Sequence, residues 1–357
     1  MNPEGGVLPS PLDDVPLRRP TMEDVARAVG VSHQTVSRVL RGHPNVRDST
    51  RAEVLRAIKD LGYRRNSSAR ALATSRTHTL GVVAVNTALF GPASTLAGIE
   101  EAARAEGFLT STVNLRRLSR ESLTQALEHL GEWGVEGAVV ITPQRQAVVA
   151  LSTMRRPFPI VTVEGGHDLD IPGVSVNQHL GARLITEHLL AAGHRTVWHV
   201  AGPQDWIEAE SRMAGWRAAL EDAGAEPPPP LLGDWSPLSG YRAGQQLAGQ
   251  AVGAAGRATA LTAVFVANDQ MALGVLRAFR EAGVRVPDYV AVAGFDDIPE
   301  AEYFAPPLTT VRQDFETVGK ASIRLLLDRI EGNSPDEPHL VIDPSLIVRS
   351  STATPLS

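Results

Sequence analysis

From Thr79 onward the chain alternates near-continuous apolar runs with amphipathic stretches, and this pattern constrains the fold more than any other feature. LGVVAV is followed by the helical stretch ASTLAGIEEAARAEG, and the alternation then recurs. The expected strands are Leu109–Leu115, Ala138–Thr142, Ile160–Glu164, Thr196–Ala201, Ala263–Ala267 and Val290–Gly294. The expected helices lie near 119–131, 177–192, 207–223, 237–250, 269–282 and 314–331. Strands with no polar face need cover on both sides, which means parallel sheets between helices. About 270 residues of this texture exceed one hydrophobic core, so two α/β lobes are expected. Pro227–Pro230 reads as a loop before a strand, not a domain boundary.

The stretch Thr21–Leu40, TMEDVARAVGVSHQTVSRVL, has a different texture. It reads as two short helices around a glycine turn. Thr21 caps the first helix with Asp24 as reciprocal partner, and Val25, Ala26 and Val29 give it an apolar stripe. Gly30 sits where the turn needs positive φ. Ser32 caps the second helix, whose inward residues are Val36, Val39 and Leu40. Ser32, His33, Gln34, Thr35, Ser37 and Arg38 are left near its start or on its outer side. That is where a helix-turn-helix reads base edges. After the RGHPNVR loop, Asp48 or Ser49 is expected to cap a third helix with the stripe Val54, Leu55, Ile58 and Leu61, ended by Gly62. The joint that follows, Tyr63–Arg76, offers little apolar surface, chiefly Ala69, Leu72 and Ala71. Such a segment is marginal as an isolated helix, and is expected to be disordered when free and helical when bound.

Charge supports this division. The chain carries a net −6, yet residues 17–76 hold 13 Lys or Arg against 5 Asp or Glu. A basic head on an acidic body is the electrostatic pattern of a DNA reader attached to a sensor. There are no cysteines, which excludes disulfides, thiolate nucleophiles and cysteine-bound metals. No apolar run approaches the roughly 18 residues needed to span a membrane. The first 19 residues, rich in Pro and Gly, lack a secretory apolar core and read as a disordered tail. A cytoplasmic protein, nucleoid-associated when bound to DNA, is expected.

Ligands of open α/β sheets bind beyond the carboxyl ends of the strands. Those ends carry Glu164, Asn268, Asp269, Asp296 and Asp297, while Arg212 lies on a helix after another strand and Trp235 closes LLGDW. Planar donors and acceptors beside a flat aromatic face suit a polyhydroxylated ligand; Asp269 alone also reads as a plain helix cap. Phosphate loops, dinucleotide fingerprints, nucleophile elbows and zinc-protease motifs are absent. Asp296–Asp297 is the only carboxylate pair with an enzymatic look, and no nucleophile stands beside it. No catalysis, metal or cofactor is assigned.

These motifs together resemble the lactose-repressor family of bacterial transcription regulators, from Thr21 to the C-terminus. TMEDVARAVGVSHQTVSRVL is similar to the family headpiece and YRRNSSARAL to its hinge. LLGDWSPLSGY, VANDQMALG, FDD and PPLTTVRQDF resemble the namesake in most detail. The implied fold is an all-α helix-turn-helix headpiece plus a two-lobed, periplasmic-binding-protein-like α/β core with parallel sheets. The expected divisions are a tail at 1–19, a headpiece at 20–65, a hinge at 66–77 and a core at 78–357. Lobe 1 would hold about 78–176 and 308–342, and lobe 2 about 177–307 and 343–357.

The resemblance also implies residue roles. His33, Gln34 and Arg38 match major-groove readers. Thr21, Ser32, Thr35, Ser37, Asn45 and Thr50 match backbone-contacting or positioning residues. Leu72, helped by Ala69 in the hinge that Asn66 opens, matches a minor-groove wedge. Arg212, Trp235, Asn268, Asp296 and Phe315 match sugar-contacting positions, with Leu89, Glu164 and Gln313 nearby. Four departures stand out: Arg65 for a hinge proline, Glu164 for the namesake's shorter aspartate, Val85 for a small polar residue, and His33 for a tyrosine reader. The chain stops at STATPLS without the namesake's leucine-heptad tail, so a homodimer is expected rather than a tetramer. The implied function is repression of a carbohydrate operon at a pseudo-palindromic operator, released by a β-galactoside or similar glycoside. A different sugar or metabolite, co-repressor use, and a sugar-binding transport protein are the alternatives.

Overall fold

The computed structural model describes residues 20–40, 42–63, 76–115, 119–165, 170–253, 261–334 and 337–353. The hinge residues Asn66, Ala69 and Leu72, and Arg65 before them, lie outside these. The chain divides into two compact units, one up to Arg76 and one from Thr77.

The first unit holds α1 (Met22–Val29), α2 (His33–Leu40) and α3 (Asp48–Asp60). Thr21 and Asp24 form the expected reciprocal cap: the Asp24 carboxylate accepts from the Thr21 backbone N–H and hydroxyl at 2.8 Å each. Gly30 ends α1 with φ 72°, and Ser32 Oγ accepts from the Thr35 N–H at 3.2 Å. The core is small: Val25, Ala26, Val36, Val39, Val54 and Tyr63. The third helix departs from expectation. Arg47 occupies its N-cap without a side-chain hydrogen bond, and Asp48 is placed instead in the first turn, where its charge suits the helix dipole. Of its expected stripe, Val54 is buried and Ile58 packs on the core, but Leu55 and Leu61 are 51% and 38% exposed. With two helices to cover, α3 buries only a narrow strip.

The second unit is built on two parallel sheets. Lobe 1 has the order β11-β5-β4-β3-β1-β2, from β1 (Thr79–Val85), β2 (Leu109–Leu115), β3 (Ala138–Ile141), β4 (Ile160–Val163), β5 (Gly173–Val176) and β11 (His339–Ile342). Its helices are α4 (Phe90–Ala105), α5 (Arg120–Glu132), α6 (Arg145–Thr153) and α11 (Phe315–Ile330). Lobe 2 has the order β7-β6-β8-β9, from β6 (Trp198–Ala201), β7 (Leu231–Leu232), β8 (Ala263–Val266) and β9 (Ala291–Ala293). Its helices are α7 (Gln178–Ala191), α8 (Ile207–Asp222), α9 (Pro237–Gly253) and α10 (Asp269–Glu281). The strands β1, β3, β4, β6, β8 and β9 are buried on both faces, apart from the half-buried start of β1, which is why they read as continuous apolar runs.

The chain crosses between lobes at Asn177, at Gln313–Asp314 and at Asp343–Pro344. The expected return to lobe 1 at residue 308 comes too early. Leu308 packs in the lobe 2 core, and β10 (Thr310–Arg312) pairs antiparallel with β12 (Ser345–Ile347). Asp297 holds this join: its carboxylate accepts from Arg349 at 2.7 Å and from Arg312 at 2.6 Å.

Helix α11 crosses α4 so closely that backbones touch. A Cβ on Gly319 would stand 2.3 Å from Gly98 C. Gly319→Ala is therefore expected to lower stability by about 1–3 kcal/mol despite alanine's better helix propensity, read as a lower thermal midpoint.

Candidate functional site

Both sheets point their carboxyl ends at one crevice, since in each the chain turns from strand to helix there. Of the lining residues, Glu164 follows β4, Asn268 and Asp296 follow β8 and β9, and Arg212 lies in the second turn of α8. Trp235 precedes α9. All eight expected ligand residues, Leu89, Glu164, Arg212, Trp235, Asn268, Asp296, Gln313 and Phe315, line this one cavity of about 530 Å³, counted to its open mouth. Val85 does not; it is enclosed in the apolar core beside Val83 and Val140.

The floor is a closed ring of four side chains. Arg212 Nε donates to Gln178 Oε1 at 2.8 Å. Gln178 Nε2 donates to Gln313 Oε1 at 2.9 Å, and Gln313 Nε2 donates to Asp296 Oδ1 at 2.8 Å. Arg212 Nη2 closes the ring 3.5 Å from the same oxygen. Gln178 follows one of the three crossings and Gln313 lies in another, so the ring ties the joint between the lobes to the groups facing the cavity. The guanidinium carbon also stands over Phe295, 3.8 Å from its centroid, and 5.6 Å from that of Trp235. Burial pushes the Asp296 carboxyl up to about 6, with Arg212 opposing.

The backbone is bent to aim these groups. Glu164, Trp235 and Asp296 have φ of 62°, 71° and 109°, a region side chains other than glycine occupy at a cost and most often at functional sites. Asp297 follows with φ 53°, which parts the two aspartates: Asp296 faces the cavity, while Asp297 turns to Arg312 and Arg349. The carboxylate pair that had an enzymatic look is therefore split between two jobs. Asp269 does not cap its helix. Asn268 does, accepting from the Met271 N–H at 2.9 Å, while Asp269 accepts from the Ile298 N–H and the Thr310 hydroxyl at 2.9 and 2.7 Å.

Sequence reading missed Gln178, Trp206 and Glu208. Gln178 looks like an ordinary first-turn residue. Trp206 stands edge-to-face with Trp235, centroids 5.7 Å apart and planes at 72°. Trp235 Nε1 and Glu208 Oε2 are enclosed without a hydrogen-bond partner. Such groups cost free energy unless a bound molecule meets them. Next to Trp206 the lobes are clasped. Ile207 N–H donates to Pro143 O at 2.8 Å, and Arg145 of lobe 1 pairs with Glu210 of lobe 2.

In the first unit, Ser32, His33, Gln34, Arg38 and Asn45 are exposed, while Thr21, Thr35, Ser37 and Thr50 are half-buried. Exposed polar residues therefore cluster at the start of α2, clear of the core side formed by Val36 and Val39. Thr21, Ser32 and Thr35 are already engaged in caps.

An exposed polar helix start on a helix-turn-helix, and a polar-floored cavity between two α/β lobes, define an effector-responsive DNA-binding regulator. The comparisons with known proteins agree. Residues 21–66 match the model of bacterial regulatory proteins of the lacI family, and residues 186–352 match the periplasmic binding protein-like domain. The regulator CelR of Thermobifida fusca is 37% identical over 347 residues, covering 94% of this chain and 98% of that protein. The lactose operon repressor of Escherichia coli (strain K12) is 33% identical over 336 residues, covering 94% and 91%. Among solved structures, the lac repressor dimer bound to operator and the anti-inducer ONPF matches with TM-score 0.83 at 32% identity, covering 94% of this chain and 99% of that one. The CelR–cellobiose complex matches with TM-score 0.66 at 34% identity, covering 93% and 100%. The chain belongs to the lactose-repressor family of bacterial transcription regulators. These relatives are regulators, not enzymes.

Proposed function

We propose that this protein represses a carbohydrate-utilisation operon and is released from its operator by a neutral glycoside. The observation that carries the effector class is the cavity itself: a perpendicular tryptophan pair beside one guanidinium, two amides and three carboxyl groups. Flat apolar faces take the C–H faces of a sugar ring, and planar donors and acceptors take its hydroxyls. A phosphorylated metabolite fits poorly, because the only cation lining the cavity, among the described residues, is already hydrogen-bonded within its ring. A β-galactoside is one candidate. A β-linked glucose disaccharide is another, favoured by the likeness to a regulator solved with cellobiose. The test is calorimetric titration with cellobiose, lactose, methyl β-galactoside and glucose 6-phosphate. Binding of a neutral sugar with no heat from the phosphate supports the reading, and the reverse overturns it.

On the DNA side, a homodimer sets two headpieces on the half-sites of a pseudo-palindrome. His33, Gln34 and Arg38 read the major groove, with Thr21, Ser32, Thr35, Ser37, Asn45 and Thr50 positioning the helix or meeting phosphates. The hinge from Asn66 through Ala69 places Leu72 in the minor groove. Leu72→Ala is expected to weaken operator binding at least tenfold in a mobility-shift titration, with sugar affinity intact; equal loss of both indicates misfolding instead of a lost wedge.

A further inference from the structure

Three carboxyl groups, Glu164, Glu208 and Asp296, share the cavity with a single guanidinium, Arg212. Fully ionised, they would leave an excess of negative charge in an enclosed space that a neutral sugar cannot offset. The hydrogen bonds of Arg212 go to groups other than the two glutamates. Its Nε donates to Gln178, its Nη1 to the Ala267 carbonyl, and its Nη2 faces Asp296. Glu164 Oε1 accepts from the Val176 N–H at 2.9 Å. Glu208 Oε2 is enclosed and accepts from nothing, although the rest of its side chain keeps some solvent contact. The two glutamates come from opposite sides of the crevice, Glu164 from the end of β4 in lobe 1 and Glu208 from the first turn of α8 in lobe 2.

Resting on the effector reading above, we propose that Glu208 is a specificity-determining residue of the effector site: as a carboxylic acid it donates to a ligand hydroxyl from lobe 2, while Glu164 accepts from that ligand as a carboxylate from lobe 1. The pair holds one proton and one negative charge. A hydroxyl suits this arrangement because it donates and accepts at once, so a bound sugar bridges the lobes. A protonated amine only donates, and would call for two carboxylates instead.

The surroundings favour the single proton. Burial pushes the Glu208 carboxyl up to about 8, with the charge of Glu164 adding to it. Burial likewise pushes Glu164 up to about 7, with the Val176 N–H and Arg212 opposing. Like carboxyl groups in one site do not both ionise readily. The other ionisable groups do not supply a cation. Asp296 faces the pair from lobe 2, and Asp269 behind it is raised well above the usual range by burial. Buried His199 is held down to about 4 by burial and so stays neutral. At the clasp, Arg145 is paired with Glu210, and Asp205 accepts from Gln144.

The experiment measures sugar affinity of the full-length protein from pH 6.5 to 9, using cellobiose, lactose and methyl β-galactoside, with glucosamine as the amine probe. For the wild type, affinity is expected to fall as pH rises through about 8, approaching tenfold per unit above it. Glu208→Gln keeps a donor but no titrating proton. It is expected to bind several-fold more weakly at pH 7 with a level profile, while Glu208→Ala loses most binding throughout. A level wild-type profile, the same slope in Glu208→Gln, or glucosamine binding more tightly than every neutral sugar at pH 6.5, where its amine is protonated, overturns the proposal. A ligand-free measurement separates this from the effector reading. The folded protein holds the Glu208 proton more tightly than the unfolded chain, so the thermal midpoint falls as pH rises through about 8, and Glu208→Gln flattens that fall. If no sugar binds at any pH but the midpoints behave so, the effector reading and the ligand role fail while the shared proton stands. Identical midpoint profiles overturn the shared proton as well.

Discussion

Replacing Arg212 with alanine is expected to remove effector binding by more than 100-fold, judged by calorimetry, and to leave operator DNA bound whether or not the sugar is present. Arg212 is 4% exposed and holds one corner of the four-membered ring on the cavity floor. Its loss leaves Asp296 without its ion pair and leaves Gln178 Oε1 and the Ala267 carbonyl short of a donor. Removing one partner of a buried ion pair costs about 3–5 kcal/mol, so the thermal midpoint should fall too. Arg212→Lys separates the two effects. It restores a charge, and part of the stability, but not the fork that meets Gln178 and Asp296 together. Sugar affinity should therefore stay low in a protein that is nearly as stable as the wild type.

The complementary result is expected from the headpiece. Val36 is fully buried in a core of only six buried residues, and so small a unit has little stability to spare. Val36→Ala removes two methyl groups and leaves a cavity, at a cost of about 1–3 kcal/mol. That is enough to unfold a large part of the headpiece population, so operator affinity should fall at least tenfold. The unit from Thr77 has its own cores, and calorimetric sugar affinity should not change. Loss of sugar binding in Val36→Ala would mean that the two units do not fold independently.

Much of this was legible in the sequence because the physics is local. Strands buried on both faces have to be apolar throughout, and six of them stand within two residues of their expected bounds. The Thr21–Asp24 cap and the Gly30 turn follow from residue chemistry at fixed spacing. The eight residues that line the cavity were expected together because strand ends are where such sheets bind and because the motifs match a known family. What was hidden depends on partners distant in the chain. β10 and β12 are three residues each and draw their pairing from one another, so neither shows a pattern of its own. Leu55 and Leu61 look like core in a helical register, but among the described residues only two other helices cover α3. Gln178 and Glu208 gain their meaning from Gln313, Asp296 and Glu164, across a crevice that no single segment reveals.

The central claim is that a sugar in the crevice weakens the hold on DNA, and reciprocity then requires operator DNA to weaken the sugar's binding by the same factor. The direct measurement is fluorescence anisotropy of a labelled operator fragment, selected from the DNA upstream of the regulated genes. It is titrated with the protein at fixed salt, with and without the neutral sugar that binds. The account predicts at least a tenfold loss of operator affinity at saturating sugar, abolished by Arg212→Ala. An operator affinity unchanged by a sugar shown to occupy the cavity would contradict it.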